Sequence, residues 1–258
     1  MMIWSQSDNG PVSVTASDRK NLLSDLGDRF ENNQGFSVAT LNLDHVVKLR
    51  RDGEFRLAYG AHSHVTADGN PIVWLSRLAG QDVSLIPGSE LIEPLVALAA
   101  KHKIQIALYG SNTTSLNNAS VALKEKNPDL EVAFIKAPEM GFDPNSQIAV
   151  EDMQELAASG ARLCFIALGA PKQEQLAVRA QQLHPNIGFV SIGAGLNFIA
   201  GTETRAPAWV RKIAGEWIWR MVADPKRLVG RYSACLLAMP GLTLTALRTR
   251  FGKQGKPS

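Results

Sequence analysis

From Ile104 onward the hydrophobic and polar positions alternate in blocks rather than residue by residue. "IQIALYG", "LEVAFIKAP", "RLCFIALGAP" and "IGFVSIGAG" are short, nearly continuous apolar runs, each closed by Gly or Pro. Between them, "SLNNASVALKEKN", "SQIAVEDMQELAASG" and "KQEQLAVRAQQLH" carry apolar residues at helical spacing. A strand apolar at nearly every position is buried on both faces, and such strands alternating with helices predict right-handed βαβ units. The fold class expected is α/β, a Rossmann-like doubly wound parallel sheet.

The first hundred residues are less regular. "SVATLN" reads as a strand, "LDHVVKLRRD" as a helix, "HSHVTADG" as a strand entering a turn, and "PIVWLSRLAG" as a helix with Pro71 at its first position. "GSELIEPLVALAAKHK" is a further helix. After Gly201 the pattern is helical throughout. Trp209, Ile213 and Trp217 recur at every fourth position behind Pro207, and a second helix begins with Asp224 as N-cap and Pro225 at N1. The expected boundary lies at Gly201, with an α/β catalytic core over residues 1–201 and a helical basic appendage over 202–258. Trp209, Ile213 and Trp217 are expected to pack onto the core.

Charge sharpens that boundary. The 258-residue chain carries a net charge of only +3, but from Thr202 onward 11 Lys and Arg face 3 acids, leaving −5 on residues 1–201. A basic tail on an acidic body predicts an anionic partner: membrane surface, phosphate-bearing substrate or nucleic acid. "MMIWSQSDNG" has neither the basic nor the apolar region of a signal peptide, so a cytoplasmic location is expected. The longest apolar candidate, Ala234 to Leu247, is broken by Pro240 and Gly241 and suits lying on a bilayer rather than crossing it. Cys164 and Cys235 read as small core residues in a reducing compartment.

In an open parallel sheet a ligand sits beyond the strand C-termini, where helix N-termini offer free N–H groups. The loops there are "YGSNTTS", "KAPEMGF", "GAPKQE" and "GAGLNF". In "GAPKQE" a Gly169-Ala170-Pro171 turn precedes Lys172, Gln173 and Glu174, so backbone donors, a cation and an amide can converge on a diphosphate or a sugar. "GAGLNF" brings backbone close to a ligand through Gly193 and Gly195. The plainer alternative is that Gly and Pro merely close βα turns. No G-x-G-x-x-G, P-loop or D-x-D is present, so nicotinamide binding and a metal-held diphosphate lack their usual residues. Asp68, in "TADG" at a strand end, is a candidate general base or a simple Asp-Gly turn. His62-x-His64 is a lone pair without further metal-ligand spacing.

The segments "TLNLDHV", "ADGNPIVW", "PGSEL", "LYGS", "GAPKQE", "GAGLNFIAG", "RAPAWV" and "EWIWRMVADPKRLVGRY" come in one order over Ser37 to Tyr232. Together they resemble the WecG/TagA/CpsF glycosyltransferases, which move a sugar from a UDP donor to a lipid-linked acceptor. Details are also similar to the branch that builds acidic exopolysaccharides of the xanthan type. The resemblance implies an inverting transfer with no metal and no cofactor. Asp68 would be the base, with Thr40 and Asn42 beside it. Gly110, Gly169, Pro171, Lys172, Gln173, Glu174, Gly193, Gly195 and Asn197 would line the substrate site. Arg205, Arg220, Arg227 and Arg231 would come from the appendage to neutralise diphosphates. The appendage would also hold the enzyme on the inner face of the cell membrane, where Arg, Trp and basic charge suit the interface.

Two departures stand out. Leu85 occupies the place of a common family Arg, with Arg77 a candidate replacement, and Asn197 stands where many members have Asp. The reading is a bacterial polysaccharide-building glycosyltransferase using a UDP-sugar and a polyprenyl-diphosphate-linked saccharide. Family members self-associate, and a homo-oligomer is compatible with the sequence. The rival classes are a non-catalytic nucleotide-binding module and a basic-tailed nucleic-acid binder. The tail's Trp residues are not arrayed for base stacking, so no nucleic-acid partner is expected.

Overall fold

The computed structural model describes residues 1–207, 209–210 and 215–252, apart from the side chains at 220, 223 and 227. A short antiparallel hairpin, β1 (Ser5–Ser7) and β2 (Gly10–Val12), opens the chain and is followed by α1 (Arg19–Glu31), whose first turn is capped by Asp18. Next come β3 (Phe36–Leu41), α2 (Leu43–Leu49), α3 (Gly53–Ala61), β4 (His64–Ala67), α4 (Asn70–Leu78) and α5 (Gly88–Lys101). The regular βα succession is β5 (Ile106–Gly110), α6 (Thr113–Lys126), β6 (Val132–Lys136), α7 (Gln147–Ala158), β7 (Leu163–Ala167), α8 (Lys172–Leu183), β8 (Gly188–Ser191) and the short α9 (Gly195–Ile199). The appendage supplies α10 (Glu216–Ala223) and α11 (Pro225–Gly252).

Strands β3 to β8 form one parallel sheet in the order β4-β3-β8-β7-β5-β6, so the expected doubly wound α/β fold is the fold found. Successive side chains along a strand point to opposite faces, and both faces are covered. Ile106, Leu108, Leu163 and Phe165 join a core with Leu95, Leu116 and Leu26, whereas Ala107, Tyr109, Cys164 and Ile166 join one with Met153 and Leu176. This two-sided burial is why the strands read as unbroken apolar runs. Only β6, at the sheet edge, alternates half-buried with exposed positions.

The helical tail does not stand apart from this body. One face of α11 buries Ala238, Leu242 and Ala246 in the same cluster as Val46 and Leu49 of α2 and Ile72 and Val73 of α4. Contrary to the expectation that Pro240 and Gly241 break the run, α11 continues through both. A proline removes one backbone donor and crowds one carbonyl, and here packing on two helices outweighs that local cost. Pro240 itself faces solvent.

The expected packing of the tryptophans needs a second correction. Trp209 is 65% exposed and Trp217 37% exposed, while Val210 takes the buried position beside Trp209. Trp217 packs edge-on against Tyr232 of α11, with ring centroids 5.8 Å apart. Val210 is the buried neighbour at the first position, whereas Trp217 and Ile218 are both exposed, and Ile213 lies outside the described residues. Both cysteines are buried, as expected of small core residues.

Candidate active site

The crossover from β5 leads outward to β6, whereas that from β7 leads back to β8, so the connections diverge between β5 and β7. A cavity of about 410 Å³ opens at that point, lined by Ser111, the stretch from Pro138 to Phe142, and the stretch from Leu168 to Lys172. Gly110 makes the approach possible. It has φ 113°, and a Cβ there would lie 2.5 Å from the Ala167 carbonyl oxygen. Ser111 then donates its backbone N–H to Ala167 (2.8 Å), and its hydroxyl donates to Asn197 Oδ1 (2.5 Å). The Asn197 amide in turn donates to Glu203 (2.8 Å).

The turn after β7 is fixed by bonds from both sides. Lys172 Nζ donates to the Phe142 carbonyl (2.6 Å), closing the cavity wall, and Lys48 Nζ donates to the Ala170 carbonyl (3.3 Å). The Ala170–Pro171 peptide is cis. A second cavity, of about 640 Å³, lies on the other side of Pro171 between Val47, Lys48, Arg51 and Glu54. Gln173 and Glu174 are not at the surface of either cavity. They are 3% and 0% exposed. Gln173 Oε1 accepts from the Gly193 N–H (3.0 Å), and its Nε2 donates to Glu174 Oε1 (2.8 Å).

At the other side of the sheet, β3 and β4 pair in register Thr40–Thr66 and Leu41–Ala67, and the Asp68 N–H donates to the Leu41 carbonyl (2.8 Å). Asp68 is half-buried one residue past the ladder, beside Asn42, before Gly69 at φ 97°. The structure thus brings "TLNLDH" and "TADG" to one edge. Asn42 caps α2 by accepting from the His45 N–H (3.0 Å), which fixes the turn that faces Asp68. Thr40 is buried, with its methyl against Gly88 at the start of α5.

Beneath this edge lies a buried polar group that the sequence reading did not identify. His45 Nδ1 is 2.7 Å from the Tyr59 hydroxyl and 3.9 Å from Glu174 Oε1. Burial drives His45 down to about 3, against a smaller upward pull from Asp44, so its ring is neutral. Burial also holds Tyr59 well above its ordinary value, and negative charge on Asp68, and on Glu174 where it is ionised, raises it further. Tyr59 lies in α3, a stretch between an expected helix and an expected strand for which no element was expected.

Of the appendage arginines, Arg231 makes a two-pronged contact with Asp44 of α2 (3.2 and 2.8 Å), and Lys48 shares that carboxylate (2.9 Å). Arg205 pairs with Glu90 in the first turn of α5 (2.9 Å), and Arg19 takes the other Glu90 oxygen (2.9 Å). The side chains of Arg220 and Arg227 lie outside the described residues. Arg77, the candidate replacement for the missing Arg at Leu85, is exposed in the last turn of α4, about 10 Å along the axis from the end near Asp68. No group of three or more His, Cys, Asp or Glu placed to hold a metal occurs among the described residues.

Two clusters therefore occupy one sheet edge. Gly110, Gly169, Pro171, Lys172 and Asn197 surround the divergence point, and Thr40, Asn42 and Asp68 lie three strands away, about 14 Å at ordinary strand spacing. Gly193 and Gly195 stand between them at the end of β8. Such an edge belongs to the α/β proteins that bind an extended ligand across their strand C-termini. The chain belongs to the Glycosyl transferase WecG/TagA/CpsF family, whose profile matches residues 9–256. It is similar to the N-acetylglucosaminyldiphosphoundecaprenol N-acetyl-beta-D-mannosaminyltransferase of Bacillus subtilis (strain 168), being 24% identical over 221 residues that cover 85% of this chain and 82% of the relative.

Proposed function

We propose that the protein is an inverting glycosyltransferase that moves one sugar from a UDP-sugar to a saccharide carried on a polyprenyl diphosphate, during bacterial polysaccharide synthesis. The observation that carries the reading is the position of Asp68, a half-buried carboxylate at the C-terminal end of β4 on the same edge as the glycine turns. The relative from Bacillus subtilis, whose name specifies a lipid-diphosphate acceptor, supports the acceptor class.

In this reading the nucleotide occupies the cavity between the ends of β5 and β7. The diphosphate crosses the Gly193 turn, and the sugar reaches Asp68. Asp68 takes the proton from the acceptor hydroxyl as that oxygen attacks the anomeric carbon from the face opposite the diphosphate. The bond to UDP breaks with its electron pair leaving on UDP. Leaving-group stabilisation falls to backbone N–H groups and to Lys172, Arg205, Arg220, Arg227 and Arg231.

Residues 202–258 act as an appendage that meets the inner membrane surface, and the protein is peripheral to it on the cytoplasmic side. Support comes from the apolar side chains that α10 and α11 expose: Trp217, Ile218, Trp219, Leu236, Leu237 (83% exposed), Leu244 and Phe251. They are accompanied by the basic excess of the tail, and no helix among the described residues is long and apolar enough to cross a bilayer. Self-association belongs to the same reading.

The test is transfer of radiolabel from a panel of UDP-sugars to a polyprenyl-diphosphate saccharide, comparing the wild type with Asp68→Asn. Label should reach the lipid fraction from one donor and fall by about 10²- to 10⁴-fold in the variant, with folding unchanged. Equal turnover in Asp68→Asn removes Asp68 from the chemistry, and label from no UDP-sugar removes the donor assignment.

A further inference from the structure

The turn that follows β8 is held from beneath rather than from above. Gly193 has φ 56°, and a Cβ built on it would meet nothing within 4 Å, so the turn is open on its outer side. Its N–H donates to Gln173 Oε1, and Gln173 Nε2 donates to Glu174 Oε1. This chain admits one amide orientation, because a flipped Gln173 would set its NH2 donor against the Gly193 N–H.

Glu174 closes the chain in a buried environment, where burial opposes its charge more than Gln173, its own backbone N–H and the Lys48 charge favour it. Its Oε2 is out of solvent and has no hydrogen-bond partner. The groups facing it are His45 and Lys48 from α2, Tyr59 from α3 and, through Tyr59, Asp68. His45 is neutral and bonded to Tyr59, and the Lys48 ammonium is engaged by Asp44 and the Ala170 carbonyl. An ionised carboxylate there would leave one oxygen with neither donor nor cation in contact. A neutral carboxyl puts no charge out of water, and its Oε1 carbonyl oxygen accepts from Gln173.

We propose that Glu174 is a positioning residue which, as a neutral acid, holds the Gly193 turn in its working shape through Gln173. The inference rests on the transferase reading for the place of that turn beside the donor diphosphate, and on the geometry above for the clamp itself. Burial pushes Glu174 up to about 7, so the clamp has a built-in alkaline limit. As pH rises through that value the buried carboxyl ionises, and the turn must open to let the charge reach water. Glutamine at 174 keeps an acceptor for Gln173 and cannot ionise, whereas alanine leaves the Gln173 amide without its partner.

The experiment measures hydrogen exchange over residues 188–196, together with kcat and donor KM, for the wild type, Glu174→Gln and Glu174→Ala at about pH 6 and about pH 8.5. After correction for intrinsic exchange, the wild-type turn should lose protection by about tenfold or more at the higher pH. Glu174→Gln should stay protected at both, and Glu174→Ala at neither. Sugar transfer by Glu174→Ala should fall on the order of 10- to 100-fold, mainly in kcat, while Glu174→Gln keeps activity and loses the alkaline decline. Glu174→Gln behaving like the wild type across pH, or an unaltered turn in Glu174→Ala, overturns the clamp. The comparison of wild type with Glu174→Gln decides the matter even if Glu174→Ala does not fold. If no donor supports transfer, exchange still tests the clamp, and a protected turn in Glu174→Gln alone at high pH would leave the clamp standing while the transferase reading falls.

Discussion

Asp44 and His45 are consecutive residues of α2, yet they meet opposite electrostatic fates. Asp44 looks outward to the appendage, where burial works to raise its pKa but hydrogen bonds from Lys48 and Arg231 outweigh it and hold it below the usual carboxylate range. His45 looks inward, where burial strips its charge and its partners are a phenol and a buried acid. The difference lies in what accompanies burial: two cations bond Asp44, and none bonds His45. Charges are kept where water can share them and where the appendage docks, and the floor beneath the proposed site is built from polar groups without charge.

The largest expected effect comes from parting α11 from α2. Leu242→Ala removes a side chain buried between α11, α2 and α4 and should cost about 2–5 kcal/mol, read as a lower Tm. A loss under about 0.5 kcal/mol would mean that the appendage is a loosely attached unit. The inward face is tested next by pH. Glu174, raised to about 7, contributes stability that is full below the ordinary value of 4.5 and is lost as pH climbs through about 7. His45 and His62, driven by burial to about 3 and about 4, act in the opposite sense, with stability present above 6.5 and lost as pH falls toward those values. The wild-type profile therefore mixes opposing slopes. The difference between Glu174→Gln and wild type isolates one, and should grow in the variant's favour by roughly 3 kcal/mol between about pH 4.5 and 7.

Smaller effects sharpen the contrast further. Tyr59→Phe leaves His45 Nδ1 without its buried partner and should cost about 1–3 kcal/mol, independent of salt in chemical denaturation. Asp44→Asn removes the pair with Arg231, whose side chain is 44% exposed, and should cost no more than about 1 kcal/mol. That loss should shrink as ionic strength rises, since the outward pair is screened and the inward one is not. A cost in Asp44→Asn that exceeds that of Tyr59→Phe at high salt would erase the distinction between the two faces.

Much of the site's address was legible because it follows from local rules. The runs from Ile104 to Ser191 announce two-sided strands, and "GAPKQE" and "GAGLNF" announce turns at their C-termini. Asp68 was legible at a strand end and the resemblance set Asn42 beside it, and the ladder between Leu41 and Ala67 brings the two to one edge. What the residues' neighbours would be was not legible. Glu174 follows a cation and an amide in a ligand-type turn, so it reads as a substrate contact, but the rotation of α8 turns it and Gln173 into the interior. The Trp stripe behind Pro207 has core spacing, but Trp209 and Trp217 stay exposed, and beside Trp209 it is Val210 that is buried. Pro240 reads as a break, but contacts supplied by α2 and α4 carry the helix past it.

The sequence by itself determined the class of fold, the edge on which the candidate residues gather and the family, because burial on both faces of a strand and turns that need glycine leave their mark position by position. Only the tertiary structure decided which polar groups keep their charge. Whether a carboxyl or an imidazole is ionised depends on the water and partners brought to it from distant segments, and Glu174 meets His45 and Tyr59 only when α8, α2 and α3 are packed together.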